Sequence, residues 1–300
     1  MTWVYLTLMA AVLQAMRVAA QKHLSQMLSP GAVTWVRYVY GLPFALGYLL
    51  LIKYFFAEPW PSFNARFWVY VVFGGVTQIV ATGLMIHLFS LRNFAVGTTL
   101  VKTEAIQVAL IGALFFHQSI SHAGWFGVVV SVIGVLLLSN IRVVFNVSRE
   151  PGFFFNTSAL IGLLSGCLFA LTSLSVREAS LALAHNNLFF TASLTLTSMI
   201  ILQTVINGVY LLCREPQQIH LTFKHWRPAL FVGITSLFGS VGWFTAMTLQ
   251  FPAFVKALGQ IEFIFAVLIS ISFFKEVPKP IEVVGMVLII MGVIVLLILA

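Results

Sequence analysis

Two apolar stretches of the chain, residues 93–116 and 251–274, are copies of one another. An offset of 158 positions aligns them without a gap and takes Glu104 onto Glu262. The offset continues through the next apolar segment, where glycines fall on glycines. We therefore expect two copies of one unit, each with a glutamate near the middle of an apolar run. Identical pairs include Ala95 and Ala253, Leu100 and Leu258, Ile106 and Ile264, Leu110 and Leu268, Gly127 and Gly285, and Gly134 and Gly292.

The composition places these copies in a membrane. Hydrophobic residues make up 60% of the chain and charged residues 8%, and the mean hydropathy is +1.03. A membrane-spanning helix needs roughly 20 mostly apolar residues, and such runs recur along the whole length. The sequence predicts an integral membrane protein that contacts membrane lipid and has almost no domain outside the bilayer. We attribute the net charge of +8 to basic residues in the loops, so we predict no nucleic-acid partner.

Turn residues such as Glu58-Pro59 and Pro278-Lys279-Pro280 divide the chain into ten apolar spans. Backbone groups in lipid must be bonded within their own segment, so the spans are helices. Five spans per copy is an odd number, and the second copy therefore enters the membrane in the opposite orientation. The predicted fold class is all-α integral membrane, with ten transmembrane helices as two inverted five-helix repeats. The spans are expected at residues 2–26, 30–54, 66–90, 94–116, 122–141, 157–181, 186–212, 227–249, 252–274 and 280–299, with a first repeat at 1–142, a connecting loop at 143–156 and a second repeat at 157–300.

The basic residues of the loops predict the orientation. Most of them lie on the side that holds the first, third, fifth, seventh and ninth loops, whereas the other side holds Lys53 and Arg66. Basic loops face the cytoplasm, so this distribution predicts both termini outside. We expect a multi-pass protein of the cell (inner or plasma) membrane.

Glu104 and Glu262 are the first candidate site residues, because each lies close to the middle of its span. An ionisable side chain at a span centre costs about 2.5–3.5 kcal/mol on insertion scales, and it usually faces the bundle interior or a wet cavity. Two such carboxylates suit proton coupling or the recognition of a substrate amine. The structural alternative is that each glutamate is the partner of a nearby basic residue.

Further polar residues of the spans predict a substrate-binding cavity. In the first span, Gln14, Arg17 and Gln21 share one helical face, since they are spaced i, i+3 and i+7. Lys102 and Glu104 are two residues apart and point to different faces, so they are not expected to neutralise each other directly, and partners on other helices are left open. The other candidate substrate-binding residues are Arg37, Gln78, Gln107, Ser240, Trp243, Lys256 and Gln260.

The chain shows no pattern typical of an enzyme. Cys167 and Cys213 are isolated, and no paired-histidine spacing or nucleophile motif occurs in the sequence. We therefore predict no catalytic residues, no metal site and no cofactor.

The ninth span carries Glu262 and ends in Phe274-Lys275-Glu276, and the last span has glycines at Gly285 and Gly292. With these features and its internal duplication, the whole chain resembles the EamA type of the drug/metabolite transporter superfamily. The resemblance rests on the duplication, on the end of the ninth span and on the glycine-spaced last helix. Members usually carry an acidic residue and then a Leu-Gly-Glu-like ending in the ninth span; here Glu262 and Phe274-Lys275-Glu276 correspond, with lysine in place of glycine. The resemblance implies a central cavity between the repeats, alternating access by rocking, and cytoplasmic termini, which is opposite to the orientation that the loop charges predict.

These observations predict a secondary transporter for a small polar metabolite, either an amino-acid-like zwitterion or an organic anion, with proton coupling or exchange. Arg17 and Lys102 would hold an anionic group, and Glu104 and Glu262 would take protons or a substrate amine. One alternative is an exporter of organic cations that uses the two glutamates. An alternative of another class is a non-transporting receptor or scaffold. A homodimer is left open.

Overall fold

The described part of the chain is helical, with no strand in it. The computed structural model describes residues 1–88, 100–116, 120–138, 157–262, 264–265 and 280–299. The predicted connecting loop and the Phe274-Lys275-Glu276 ending lie outside these residues. The described helices are α1 (Thr2–Leu24), α2 (Pro30–Val39), α3 (Leu42–Phe56), α4 (Ala65–His87), α5 (Glu104–Phe115), α6 (His122–Leu138), α7 (Thr157–Ala182), α8 (Leu188–Arg214), α9 (Pro216–Lys224), α10 (Trp226–Leu249), α11 (Pro252–Gly259) and α12 (Pro280–Leu299).

Six helical segments within the described residues are long and apolar enough to cross a membrane. They are α1, α2 together with α3, α4, α7, α8 and α10. Shorter apolar helices, which include α5 and α6, lie beside them. The chain is thus an all-helical, multi-pass membrane protein, and the count of ten spans stays a prediction.

Local sequence sets where several helices begin. The side chains of Ser29, Asn64 and Asn187 precede α2, α4 and α8, and each accepts a backbone N–H of the first turn. These N–H groups have no partner within the helix, so a side-chain oxygen that accepts from them stabilises the helix start. Proline opens α2, α9 and α11, where its missing N–H costs nothing.

The second span was predicted as one helix, but the structure interrupts it at Tyr40-Gly41, between α2 and α3. Pro43 has no N–H to donate to the carbonyl of Val39, and its ring disfavours a continuous helix at this point. The interruption packs against Gly233 of α10, where an added Cβ would lie 2.8 Å from the carbonyl carbon of Tyr40. The span itself is found as one apolar segment, Pro30–Phe56, but the sequence prediction did not include the interruption because it gave no weight to the proline inside the run.

The fourth and ninth spans were also predicted as continuous helices, and both are interrupted. Helical backbone ends at Val101 and at Gly259, and it resumes at Glu104 and at Glu262. The interruptions, Lys102-Thr103 and Gln260-Ile261, correspond under the offset of 158 positions. Each predicted glutamate therefore stands at the start of a new helical segment, next to a break at equivalent places of the two repeats.

Each break is a tightened turn with hydrogen bonds from residue i to residue i−3. In the first repeat, the backbone N and the hydroxyl of Thr103 both donate to the carbonyl of Leu100, at 3.1 and 2.7 Å. In the second repeat, the backbone N of Ile261 donates to the carbonyl of Leu258 at 3.1 Å. Such turns replace the normal i−4 bonds, and threonine hydroxyls that bond to the preceding turn bend helices.

Helix packing follows the duplication. α1 packs along α10, α4 packs along α7, and α6 packs along α12. Under the repeat, α1 corresponds to α7, α4 to α10, and α6 to α12. The contact of α1 with α10 therefore corresponds to that of α7 with α4, and the contact of α6 with α12 corresponds to itself. The packing is thus what a two-fold axis between the repeats requires.

The ends of the second span and of α8 are tied together by a similar exchange. Glu58 follows α3, and one of its carboxylate oxygens accepts from Nδ2 of Asn187, the residue that caps α8, at 3.2 Å. Glu215 follows α8, and its carboxylate accepts a hydrogen bond from the hydroxyl of Ser29, the residue that caps α2. Each glutamate precedes a proline. The start of each helix therefore lies beside the end of the other, which makes the pair antiparallel.

We expect a larger residue at Gly134 to disrupt the packing of α6 against α12. A Cβ on Gly134 would lie 2.7 Å from the carbonyl oxygen of Gly285, so the backbones pack too closely for a side chain. Overpacking of this kind costs about 1–3 kcal/mol. Gly134→Val should lower the thermal unfolding temperature of the purified protein. Gly47→Ala is the control, because no atom lies within 4 Å of its Cβ position, and equal stability of the two variants would contradict this packing.

Candidate functional site

A polar cavity, here called the main cavity, lies where α1, α2, α4, α7, α10 and α11 meet the break before α5. It holds about 580 Å³ of space, including its open mouth. Apolar side chains such as Val176 and Met247 complete its wall. The predicted site residues that line it are Gln14, Arg17, Arg37, Gln78, Lys102, Glu104, Ser240, Trp243 and Lys256.

A smaller pocket adjoins the main cavity at the break of the ninth span. It holds about 310 Å³ and shares Lys102, Glu104 and Lys256 with the main cavity. Gln260 and Glu262 face this pocket. All but two of the predicted site residues are therefore brought together around one connected space at the junction of the repeats.

Two ion pairs cross from one repeat to the other. Nζ of Lys256 in the second repeat lies 2.7 Å from a carboxylate oxygen of Glu104 in the first. Lys102 in the first repeat pairs with Glu262 in the second. Both glutamates thus pair with basic residues, which is the structural alternative stated for them in the sequence analysis. Because each pair joins the two repeats at a helix break, the pairs fix how the broken segments face one another.

Polar side chains complete the surroundings of both carboxylates. Nε2 of Gln14 donates to the second oxygen of Glu262 at 2.8 Å, and the hydroxyl of Ser173 donates to Glu104 at 3.2 Å. Nζ of Lys256 also lies 4.7 Å from the ring centroid of Trp243, close enough for a cation–π interaction. Each carboxylate thus has a basic partner and a neutral hydrogen-bond donor.

The two arginines of the main cavity differ from the lysines. Arg17 and Arg37 are 5% and 6% exposed. Arg37 donates to the hydroxyls of Thr82 and Ser240 at 3.3 and 3.5 Å. Within the residues that the structure describes, neither guanidinium makes an ion pair, and Nε of Arg17 has no hydrogen-bond partner. This end of the cavity therefore carries two positive charges that form no ion pair among the described residues, with Glu262 as the carboxylate that acts electrostatically on Arg17.

Two predicted site residues, Gln21 and Gln107, do not line these cavities. Nε2 of Gln107 donates to the hydroxyl of Thr103 at 2.9 Å and to the carbonyl of Leu163 at 3.5 Å. Gln107 thus stabilises the break before α5 instead of facing the cavity. Gln21 lies one helical turn beyond Arg17 and is fully buried by the surrounding helices.

Sequence reasoning missed part of the wall that α7 contributes. Phe169, Ser173 and Val176 line the main cavity, and Ser173 contacts Glu104 directly. The repeat itself held a signal, because the offset of 158 positions carries Gln14 onto Thr172, which lines the cavity as well. The polar stripe of α1 therefore has a weaker counterpart on α7.

The fold and the site together define a class: helical membrane proteins built from two repeats, with a charged cavity between them. A sequence model described as the EamA-like transporter family matches residues 1–140 and 156–298. The chain belongs to this family, within the drug/metabolite transporter superfamily.

The comparisons with curated proteins and with solved structures give information about the fold only. No curated protein matches the chain. Among solved structures, one described as "Crystal structure of protein" has 13% sequence identity and a TM-score of 0.74, and the alignment covers 99% of this chain and 98% of that one. At this identity the likeness shows the fold alone.

We expect the ion pair of Lys256 and Glu104 to contribute to stability through its balance of charge. Removal of one partner of a buried pair leaves a buried charge and costs about 3–5 kcal/mol. Lys256→Met should therefore lower the thermal unfolding temperature, and the double variant Lys256→Met/Glu104→Gln should recover most of the loss. A double variant as unstable as the sum of the two single variants would show that the pair does not couple.

Proposed function

We propose that this protein exchanges small organic anions across the cell membrane by alternating access. Membership in a transporter family supports transport. The observation that carries the substrate class is the charge of the main cavity. Both glutamates are paired with lysines, whereas Arg17 and Arg37 form no ion pair among the described residues. A bound anion supplies the missing negative charge, and guanidinium groups bind carboxylate or phosphate oxygens through a planar set of donors.

The same geometry disfavours the export of organic cations. A cation would have to displace Lys102 from Glu262 or Lys256 from Glu104, and it would then share the cavity with the displaced ammonium group. A zwitterion has to break one of these pairs to place its amine on a carboxylate. An anion breaks neither pair, since the two arginines are already available to it.

The charge balance also favours exchange over proton coupling. Alternating access requires a state in which the cavity is closed to both sides. Closing it around two unbalanced cations costs several kcal/mol per ion, because the charges lose contact with water. A bound anion removes much of this cost, so the loaded carrier reorients faster than the empty one. The two glutamates then hold the lysines in place and are not required to carry protons.

In this proposal Arg17 and Arg37 bind the anionic group, and Ser240 and Gln78 orient it. Lys102, Lys256, Glu104 and Glu262 hold the broken segments of the two repeats together. The ten inverted spans and the location in the cell membrane belong to the same proposal. A homodimer stays a prediction.

Counterflow into proteoliposomes tests this function directly. Vesicles loaded with malate should accumulate labelled malate from outside, with a much smaller rate in vesicles that contain no anion. Arg17→Gln should reduce the rate at least about tenfold, which corresponds to about 1.4 kcal/mol. Arg66→Gln is a matched control, because Arg66 lies on the surface and pairs with Glu178.

Three outcomes would contradict the proposal. Counterflow of quaternary amines only, lost in Glu104→Gln and Glu262→Gln, would make the protein an exporter of cations. Anion uptake that needs an imposed pH gradient and no internal anion would replace exchange by proton coupling. No movement of anions, zwitterions or cations would favour the receptor or scaffold alternative.

A further inference from the structure

A recess beside the main cavity has no role in the proposal so far. It lies between α2, α4, α8 and α10 and has room for about one water-sized group. Arg37, Gln78, Ser240 and Phe244 form its border with the main cavity, since they line both spaces. A group attached to an anion on Arg37 therefore has a direct way into this space, here called the lateral recess.

The lateral recess contains two buried hydroxyls without a hydrogen-bond partner among the described residues, those of Ser236 and Tyr38. Ser236 is 1% exposed, and its hydroxyl has no hydrogen-bond partner among the described residues. The neighbouring Thr235 donates to the carbonyl of Phe231 at 2.7 Å, and Thr204 and Ser175 bond to the preceding turn in the same way. A buried polar atom without a partner destabilises the fold. Ser236 thus offers a hydroxyl that the protein itself does not use.

Two glutamines determine what else the recess offers. Nε2 of Gln203 donates to the side-chain oxygen of Gln78 at 2.7 Å and to the carbonyl of Gly75 at 3.2 Å. Both hydrogens of the Gln203 amide are therefore engaged, which leaves its oxygen as the acceptor in the recess. The side-chain oxygen of Gln78 is engaged in turn, so Gln78 presents its NH₂ group. The recess combines an acceptor and donors beside the guanidinium of Arg37.

We propose that the lateral recess selects anions that carry a hydroxyl group next to the acidic group. A hydroxyl both donates and accepts a hydrogen bond, so it matches the oxygen of Gln203 and the hydroxyl of Ser236 together. A substituent without a hydroxyl leaves these polar groups buried without partners, which penalises its binding. This inference rests on the anion function proposed above, and it names the substrate class as hydroxy acids.

Pairs of anions that differ by one hydroxyl test the recess. Malate against succinate, and glycerate against lactate, are compared as competitors of labelled malate counterflow in proteoliposomes. We expect the hydroxylated member of each pair to compete at a concentration at least about tenfold lower, since sites built to bond a hydroxyl discriminate strongly against analogues without it. In Ser236→Ala the preference should fall several-fold, and in Gln203→Met it should fall further.

Thr235→Ala is the matched control, because Thr235 is adjacent to Ser236 but its hydroxyl already donates to a carbonyl of its own helix. This variant should keep the parental preference. Thermal unfolding of each variant checks that the protein is folded. Equal competition by malate and succinate in the parent would overturn the recess proposal and leave anion exchange intact. A preference that Ser236→Ala and Gln203→Met both retain would overturn it as well, and failure of any anion to compete would overturn both proposals.

Discussion

A charge inside an apolar helical bundle needs a counter-charge or water, and this need organises the centre of the molecule. Lys102 and Lys256 reach across the junction of the repeats to Glu262 and Glu104. Each pair lies at a break in a membrane helix, so the breaks and the pairs depend on one another. The breaks bring the charged residues to the cavity, and the pairs hold the broken segments in register.

Because the lysines and glutamates neutralise one another, the charges of the two remaining arginines indicate the charge of the substrate. Arg17 and Arg37 are buried and form no ion pair in the part of the chain that the structure describes, although Glu262 lies near enough to act electrostatically on Arg17. The lysines are paired and have a structural role, whereas the arginines form no ion pair and can bind a substrate. The side of the cavity that carries the two arginines thereby favours a negatively charged substrate. The side that carries the lysine–glutamate pairs keeps the repeats aligned.

The sequence predicted the parts of this site that periodicity controls. The repeat offset identified Glu104 and Glu262, and helical spacing placed Gln14 and Arg17 on one inward face. It offered the pairing of each glutamate with a basic residue as an alternative but did not identify the partners, because Lys102 and Glu262 are 160 residues apart and meet only through packing of the repeats. The break at Lys102-Thr103 has no glycine or proline within it, so no local signal marked it. Ser236 has the same sequence character as the many serines and threonines that bond to their own helix.

The central claim is that Arg17 is an unbalanced buried charge that an anion neutralises. Thermal unfolding of the purified protein and of Arg17→Met, with and without malate, measures this claim most directly. We predict that Arg17→Met is more stable than the parent when no anion is bound, and that only the parent is stabilised by malate, by about 2.7 kcal/mol at a hundred times its dissociation constant. A variant that is less stable than the parent and is still stabilised equally by malate would contradict the account.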